Sequence, residues 1–278
     1  MSKEVIKKAQ KAQIIIMTAI HKVCEDKGIK YYIIGGTALG AVRHGGFIPW
    51  DPDIDIAMPR PDYDRFIDEC EQLLQPTCTI KCYKNDPTHS APHALVVLNG
   101  SSLVNTYDKL NNTSRPIYVD VFPLDVAPND LGLQYKQAKR IQRIKDFIYR
   151  KQSVIYEHNS PWEKAMKNCI RFLLAPIPYR VVCEMLDNEM KKYSYPYPQK
   201  EHYLCSMASH YSYKKQCMPQ NVYGIPKLIK FEGYQFYAPN LIDNYLTRIY
   251  KNYMELPSEK EQNEWYSYLE SIDYNFEL

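Results

Sequence analysis

Asp53 and Asp55 stand one residue apart in the apolar run Asp53-Ile54-Asp55-Ile56. Side chains alternate faces along a strand, so the two carboxylates project one way while both isoleucines enter a core. Neighbouring carboxylates repel each other unless a cation lies between them. Oxygen ligands at this spacing suit Mg²⁺, or Mn²⁺ in its place, which keep waters and accept phosphate oxygens. A third aspartate, Asp120, lies in Tyr118-Val119-Asp120-Val121-Phe122, where an unpaired carboxylate is costly. If that strand lies beside the first, Asp53, Asp55 and Asp120 converge on one or two ions facing a nucleoside diphosphate or triphosphate. Asp120 is then placed to take a proton from an attacking hydroxyl. The alternative is that it caps a turn or pairs with Arg115.

Upstream, Ile33-Ile34 ends in Gly35-Gly36-Thr37. Glycines let backbone approach a ligand, and Thr37 would open a helix whose first amides attract phosphate. Gly35, Gly36, Thr37 and Arg43 are therefore the candidate nucleotide-binding residues, although Arg43 would equally suit a helix C-terminus. Asp51 is expected off the face of Asp53, as a carboxylate that caps a loop or supports the metal ligands from behind. Trp50 either stacks on a base or sugar or anchors a loop, and Asp125 either sits in a turn or touches an acceptor. Cys78-x3-Cys82 with His89-x3-His93 has a zinc-like spacing, but Thr77 to Tyr83 alternates like a strand. His89 and His93 read as ordinary loop histidines.

The elements that must carry these residues alternate in the first half. A helix is expected over 4–27, strands over 30–34 and 53–58, and helices over 37–43 and 62–74. Further strands follow at 77–83, 94–98, 102–107 and 117–122, ending before Pro123. The second half reads as helices over 130–157, 162–174, 178–193, 239–254 and 258–272, with a strand pair near 220–237. The class is α/β with a mixed sheet and a mostly helical C-terminal half. The division expected is a catalytic core over 1–130 and a helical region over 131–278 that completes the site and binds acceptor.

Across 278 residues the net charge is +3, which gives no electrostatic case for nucleic acid. Tyr outnumbers Phe 25 to 8, and its polar tip suits half-exposed, sugar-facing or membrane-facing positions. No run reaches the roughly 18 apolar residues a membrane span needs, and no signal peptide is evident. A cytoplasmic protein with free thiols is expected, and the basic helix at 136–151 could contact the inner face of an anionic membrane.

The block Gly35-Gly36-Thr37-Ala38-Leu39-Gly40-Ala41-Val42-Arg43-His44-Gly45-Gly46-Phe47-Ile48-Pro49-Trp50-Asp51-Pro52-Asp53-Ile54-Asp55 closely resembles the signature of the LicD family. Val119 to Asp125 and the distal Phe231-Glu232-Gly233, Tyr245-Leu246-Thr247, Tyr250, Tyr253 and Leu256-Pro257 fit it too. The resemblance implies a nucleotidyltransferase-like fold and metal-dependent transfer of a phospho-alcohol, usually phosphocholine from CDP-choline, to a sugar hydroxyl. The acceptor it implies is a free or lipid-linked glycan precursor of teichoic acid, lipopolysaccharide or capsule. Metal carboxylates map onto Asp53, Asp55 and Asp120, and the phosphate loop onto Gly36 and Thr37. The family commonly has three successive aspartates after the tryptophan, and here the middle one is Pro52. Its later histidine-containing tail has no counterpart in Ser258 to Leu269. Both departures bear on the choline assignment, leaving phosphoglycerol, phosphoribitol or phosphoethanolamine as other cargoes. Nucleotidyl transfer from a triphosphate and a silent glycan-binding role are the competing functions. A choline site needs an aromatic cage, for which Tyr107, Trp162, Tyr203, Tyr211 and Tyr213 are candidates.

Overall fold

The computed structural model describes residues 2–105, 108–109, 113–152, 159–198, 201–266 and 269–273. The chain opens with α1 (Ser2–Lys27), whose Ile6, Ala9, Ile16, Ile20 and Cys24 are buried along one side. There follow β1 (Tyr32–Ile33), α2 (Gly35–His44), β2 (Asp55–Pro59), α3 (Arg60–Glu69), α4 (Glu71–Leu74), β3 (Cys78–Lys81), β4 (Ala94–Leu98), β5 (Ser102–Asn105) and β6 (Tyr118–Ala127). The second half adds α5 (Leu131–Gln152), α6 (Pro161–Leu174), α7 (Tyr179–Met190), β7 (Tyr203–Cys205), α8 (Tyr213–Gln216), β8 (Met218–Pro219) and α9 (Gln220–Tyr223). It ends with β9 (Lys227–Phe231), β10 (Tyr234–Ala238), α10 (Ile242–Tyr250), α11 (Glu259–Tyr266) and β11 (Leu269–Asp273).

These elements form the expected α/β class. A mixed sheet runs β1-β2-β6-β4-β3, with β7 added to the far end of β6 and β8 to β7. Strands β2 and β6 are parallel and the sheet's other pairings are antiparallel. One hydrophobic cluster joins α1 and the sheet to buried residues of the C-terminal half, among them Tyr223, Phe231, Tyr245 and Ile249. Two pairs lie apart from the main sheet: the hairpin β9–β10, and β5 with β11.

Several boundaries depart from the sequence reading. Asp53 precedes β2, which starts at Asp55, although Ile54 and Ile56 are fully buried as expected. Strand β6 continues through Pro123. Its antiparallel partner β4 reaches only Val121 and β7 begins opposite Asp125, so Pro123 falls where the neighbour changes and no ladder donor is missed. The expected helix over 258–272 divides into α11 and β11, because Leu269, Ser271, Ile272 and Asp273 pair with β5. The expected strand over 102–107 is described as far as Asn105, and helix α5 as far as Gln152.

Candidate active site

Asp55 opens β2 and Asp120 is its register partner on parallel β6, so the two carboxyl-bearing residues stand side by side on the sheet. The Asp120 amide donates to the Ile54 carbonyl at 3.0 Å, fixing this register at the strand's start. Asp51 and Asp53 reach the same place along the preceding loop. Helix α1 holds that loop: Gln10 Nε2 donates to the Asp51 carbonyl at 3.0 Å, and buried Gln13 donates to the Pro52 carbonyl.

The turn into α2 closes over these carboxylates. Gly35 has φ +56, and a Cβ there would lie 2.9 Å from Asp55 Oδ2. A Cβ on Gly36 would lie 2.5 Å from Asp51 Oδ2. Both positions need glycine because the acidic side chains press against the backbone. The Gly35 amide donates to the Tyr245 hydroxyl at 2.9 Å, which ties α2 to α10. Thr37, buried, accepts from the Asp55 amide through Oγ1 at 2.8 Å. Its hydroxyl thus fixes Asp55 from the first turn of the helix.

Burial raises the carboxyls of Asp51, Asp53 and Asp55 above the usual range. Asp53 and Asp120 add like-charge repulsion on Asp55, and Asp51 shares a hydrogen bond with Asp53. His210 supplies opposing positive character to Asp53. Asp53 still keeps solvent access, as the floor of an open cleft would. Among the described residues, no three His, Cys, Asp or Glu side chains are gathered as a ready metal cage. One Asp120 oxygen is engaged elsewhere: His93 Nε2 donates to Oδ1 at 2.6 Å. The His93 ring lies against Phe122 with centroids 4.1 Å apart, and His89 Nε2 donates to the His93 carbonyl at 2.7 Å.

Two cavities flank this row. One, of about 590 Å³, is lined by Gly36, Arg43, Trp50, Asp51, Tyr211 and Tyr250. Tyr211 donates to Tyr250 at 3.0 Å, so α10 and the segment before α8 form one aromatic wall. The other, of about 800 Å³, is lined by Lys81, His93, Arg115, Tyr118, Asp120 and Tyr179.

Some expectations change on this geometry. Asp51 joins Asp53 instead of facing away. Arg115 pairs with Asp108 at 2.8 Å, so Asp120's partner is His93. Arg43 lines the first cavity, but its guanidinium donates to the Tyr253 and Glu255 carbonyls and braces the segment after α10. Asp125 is fully buried, receiving Arg60 Nε at 2.7 Å and Ser194 Oγ at 3.0 Å, so it does not face an acceptor. Of the proposed cage rings, Tyr211 lines the first cavity. Tyr213 and Tyr203 line a separate one, Trp162 lies exposed on α6, and Tyr107 is outside the described residues. Tyr250, His93 and His210 were not singled out as site residues. The sequence does hold signals for two of them: His93 pairs with His89 at a spacing of four just before β4, and Tyr250 lies in the distal signature.

Residues 28–129 match the family model described as LicD/FKTN/FKRP, nucleotidyltransferase domain. The chain is 29% identical over 271 residues to the lipopolysaccharide cholinephosphotransferase LicD of Haemophilus influenzae, covering 94% of this chain and 96% of that protein. A shorter stretch of 51 residues is 45% identical to the ribitol 5-phosphate transferase FKRP of Homo sapiens, 18% of this chain and 10% of that protein. The fold and these likenesses define a transferase of phosphate-containing groups. Residues 28–129 resemble the LicD family's nucleotidyltransferase domain, and the whole chain is similar to a LicD protein.

Proposed function

We propose that this protein moves a phospho-alcohol, phosphocholine from CDP-choline first among them, onto a sugar hydroxyl of a cell-surface glycan precursor. The observation that carries the reading is the Asp51–Asp53–Asp55–Asp120 row between two cavities, in a chain related over nearly its full length to a lipopolysaccharide cholinephosphotransferase.

The donor set fits a divalent ion. Its members are crowded carboxylates, with Asp53 and Asp120 repelling a charge on Asp55, and Asp55 and Asp120 lie on strands about 4.8 Å apart, within reach by side-chain rotation. Asp53, Asp55 and Asp120 would hold Mg²⁺ or Mn²⁺, which when bound supplies neutralisation of phosphate charge. The chain's residues do the rest. Trp50, Tyr211 and Tyr250 line the donor cavity, where aromatic faces suit a base or a quaternary ammonium. The N-terminal amides of α2 meet phosphate. The acceptor enters by the cavity of His93 and Tyr118, and its hydroxyl gives a proton to an Asp120 oxygen. The new oxygen–phosphorus bond forms at the phosphate bearing the alcohol as the bond to the CMP oxygen breaks, and CMP leaves. Positioning and electrostatics carry the rate, without a covalent intermediate.

The local likeness to a ribitol 5-phosphate transferase favours testing other cargoes beside choline. Purified protein with Mg²⁺ and acceptor glycan is expected to release CMP from CDP-choline, CDP-ribitol or CDP-ethanolamine, and Asp53→Asn to abolish it. Absence of CMP from every CDP-alcohol, with pyrophosphate released from CTP, would replace this reading by nucleotidyl transfer.

A further inference from the structure

Helix α6 wears its apolar side outward. A capping box starts it: Ser160 Oγ accepts from the Glu163 amide, and Glu163 accepts from the Ser160 amide at 2.7 Å. None of its fourteen residues is buried. Its half-buried residues are Lys164, Lys167, Ile170 and Leu174, and the helix packs beside α5. At about 100° per residue, Ala165, Cys169, Phe172, Trp162, Leu173 and Met166 fill an unbroken opposite arc. All six are exposed, Trp162 at 78%, Phe172 at 80% and Leu173 at 66%. The exposed apolar row resumes past the turn with Ile177, Val181 and Met185. Single exposed apolar residues are ordinary; a contiguous face containing a Trp and a Phe marks an interaction surface.

Charge selects the occupant. Residues 161–181 hold Lys164, Lys167, Arg171 and Arg180 against Glu163 alone. A second copy paired about a two-fold axis would set each basic row against itself. Anionic lipid accepts the apolar arc and attracts the segment's excess of positive charge, with Trp162 at headgroup depth. No helix among the described residues is long and apolar enough to cross a membrane, so the contact lies in the surface plane.

We propose that α6, with the start of α7, docks the protein on the surface of an anionic bilayer. The inference stands on the surface alone, and its failure would leave the CMP-release test untouched. The full chain is sedimented with phosphatidylcholine vesicles and with vesicles also containing phosphatidylglycerol. Binding is expected to the second kind only and to weaken at about 0.5 M salt. Phe172→Glu combined with Leu173→Glu should cut partitioning at least about tenfold. The thermal midpoint should hold, since both side chains are already in water. No pelleting with phosphatidylglycerol vesicles overturns the proposal. So does equal pelleting of the double variant, or a dimer in light scattering that the double variant abolishes.

Discussion

At the scale of single residues, the pair to separate is Asp120 and His93. Both line the cavity proposed for the acceptor, and in that proposal Asp120 takes the proton from the acceptor hydroxyl. His93 acts through it, fixing one carboxylate oxygen at 2.6 Å. With Nε2–H donating there, Nδ1 of His93 is buried and has no partner among the described residues. Its ring is thus held by one hydrogen bond and by the Phe122 face. Loss of a proton acceptor costs about 10²–10⁴ in rate, and loss of a group that orients one costs about 10–100. Asp120→Asn is therefore expected to lower kcat by the larger factor at unchanged thermal midpoint. His93→Ala should lower it by the smaller, with His93→Gln recovering part of the loss through its amide N–H. Equal loss in Asp120→Asn and His93→Ala, without rescue by Gln, would mean that the histidine only supports the fold.

At the scale of elements, the strongest polar joint is Arg60 at the start of α3. Its guanidinium is fully buried, giving two bonds of 2.7 Å to Asp125 on β6 and one of 2.8 Å to Asp187 on α7. Removing one partner of such a group leaves a buried charge uncompensated, at a cost of about 3–5 kcal/mol. Arg60→Met should lose about that much in urea unfolding, and Asp125→Asn somewhat less because its amide still accepts from Arg60. A loss below about 1 kcal/mol for Arg60→Met would show the joint is dispensable. None of this was legible from the chain, where Asp125 reads as a turn residue or an acceptor contact after Pro123. Period-two alternation did expose Asp120, and the Asp53–Asp55 spacing exposed the other edge of the row, because those patterns are local. Asp51 escaped because its place depends on a loop pinned by Gln10 and Gln13 of α1, about 40 residues earlier. Tyr211 and Tyr250 meet across 39 residues of chain, and they reach Gly36 only because α10 packs on α2, some 200 residues earlier in sequence. The final segment misled for a similar reason: pairing with β5 overrides a helical pattern that carries few core contacts of its own.

At the scale of the whole molecule, one buried lysine braces a segment by which the second half reaches the carboxylates. Lys145 of α5 is 8% exposed and donates to the Ser209 carbonyl at 2.7 Å. Ser209 precedes His210 and Tyr211; His210 acts on Asp53, and Tyr211 lines the cavity beside Gly36 and Asp51. Burial lowers this lysine from 10.5 to about 8. Below about pH 8 it is charged whether folded or unfolded, and the burial cost is felt in full. Between about 8 and 10.5 the unfolded chain keeps a proton that the folded chain has released, so its contribution to stability rises with pH. That fall corresponds to about 3 kcal/mol across the window. Buried thiols work in the opposite direction, since burial lifts Cys78 to about 12, so the raw stability profile mixes the two. The difference between wild type and Lys145→Met isolates the lysine. Measured by urea unfolding, that difference should move in favour of the wild type by about 3 kcal/mol between pH 7 and 10.5. A difference that stays flat would mean the ammonium keeps its proton throughout, so that α5 holds the Ser209–Tyr211 segment by charge at every working pH.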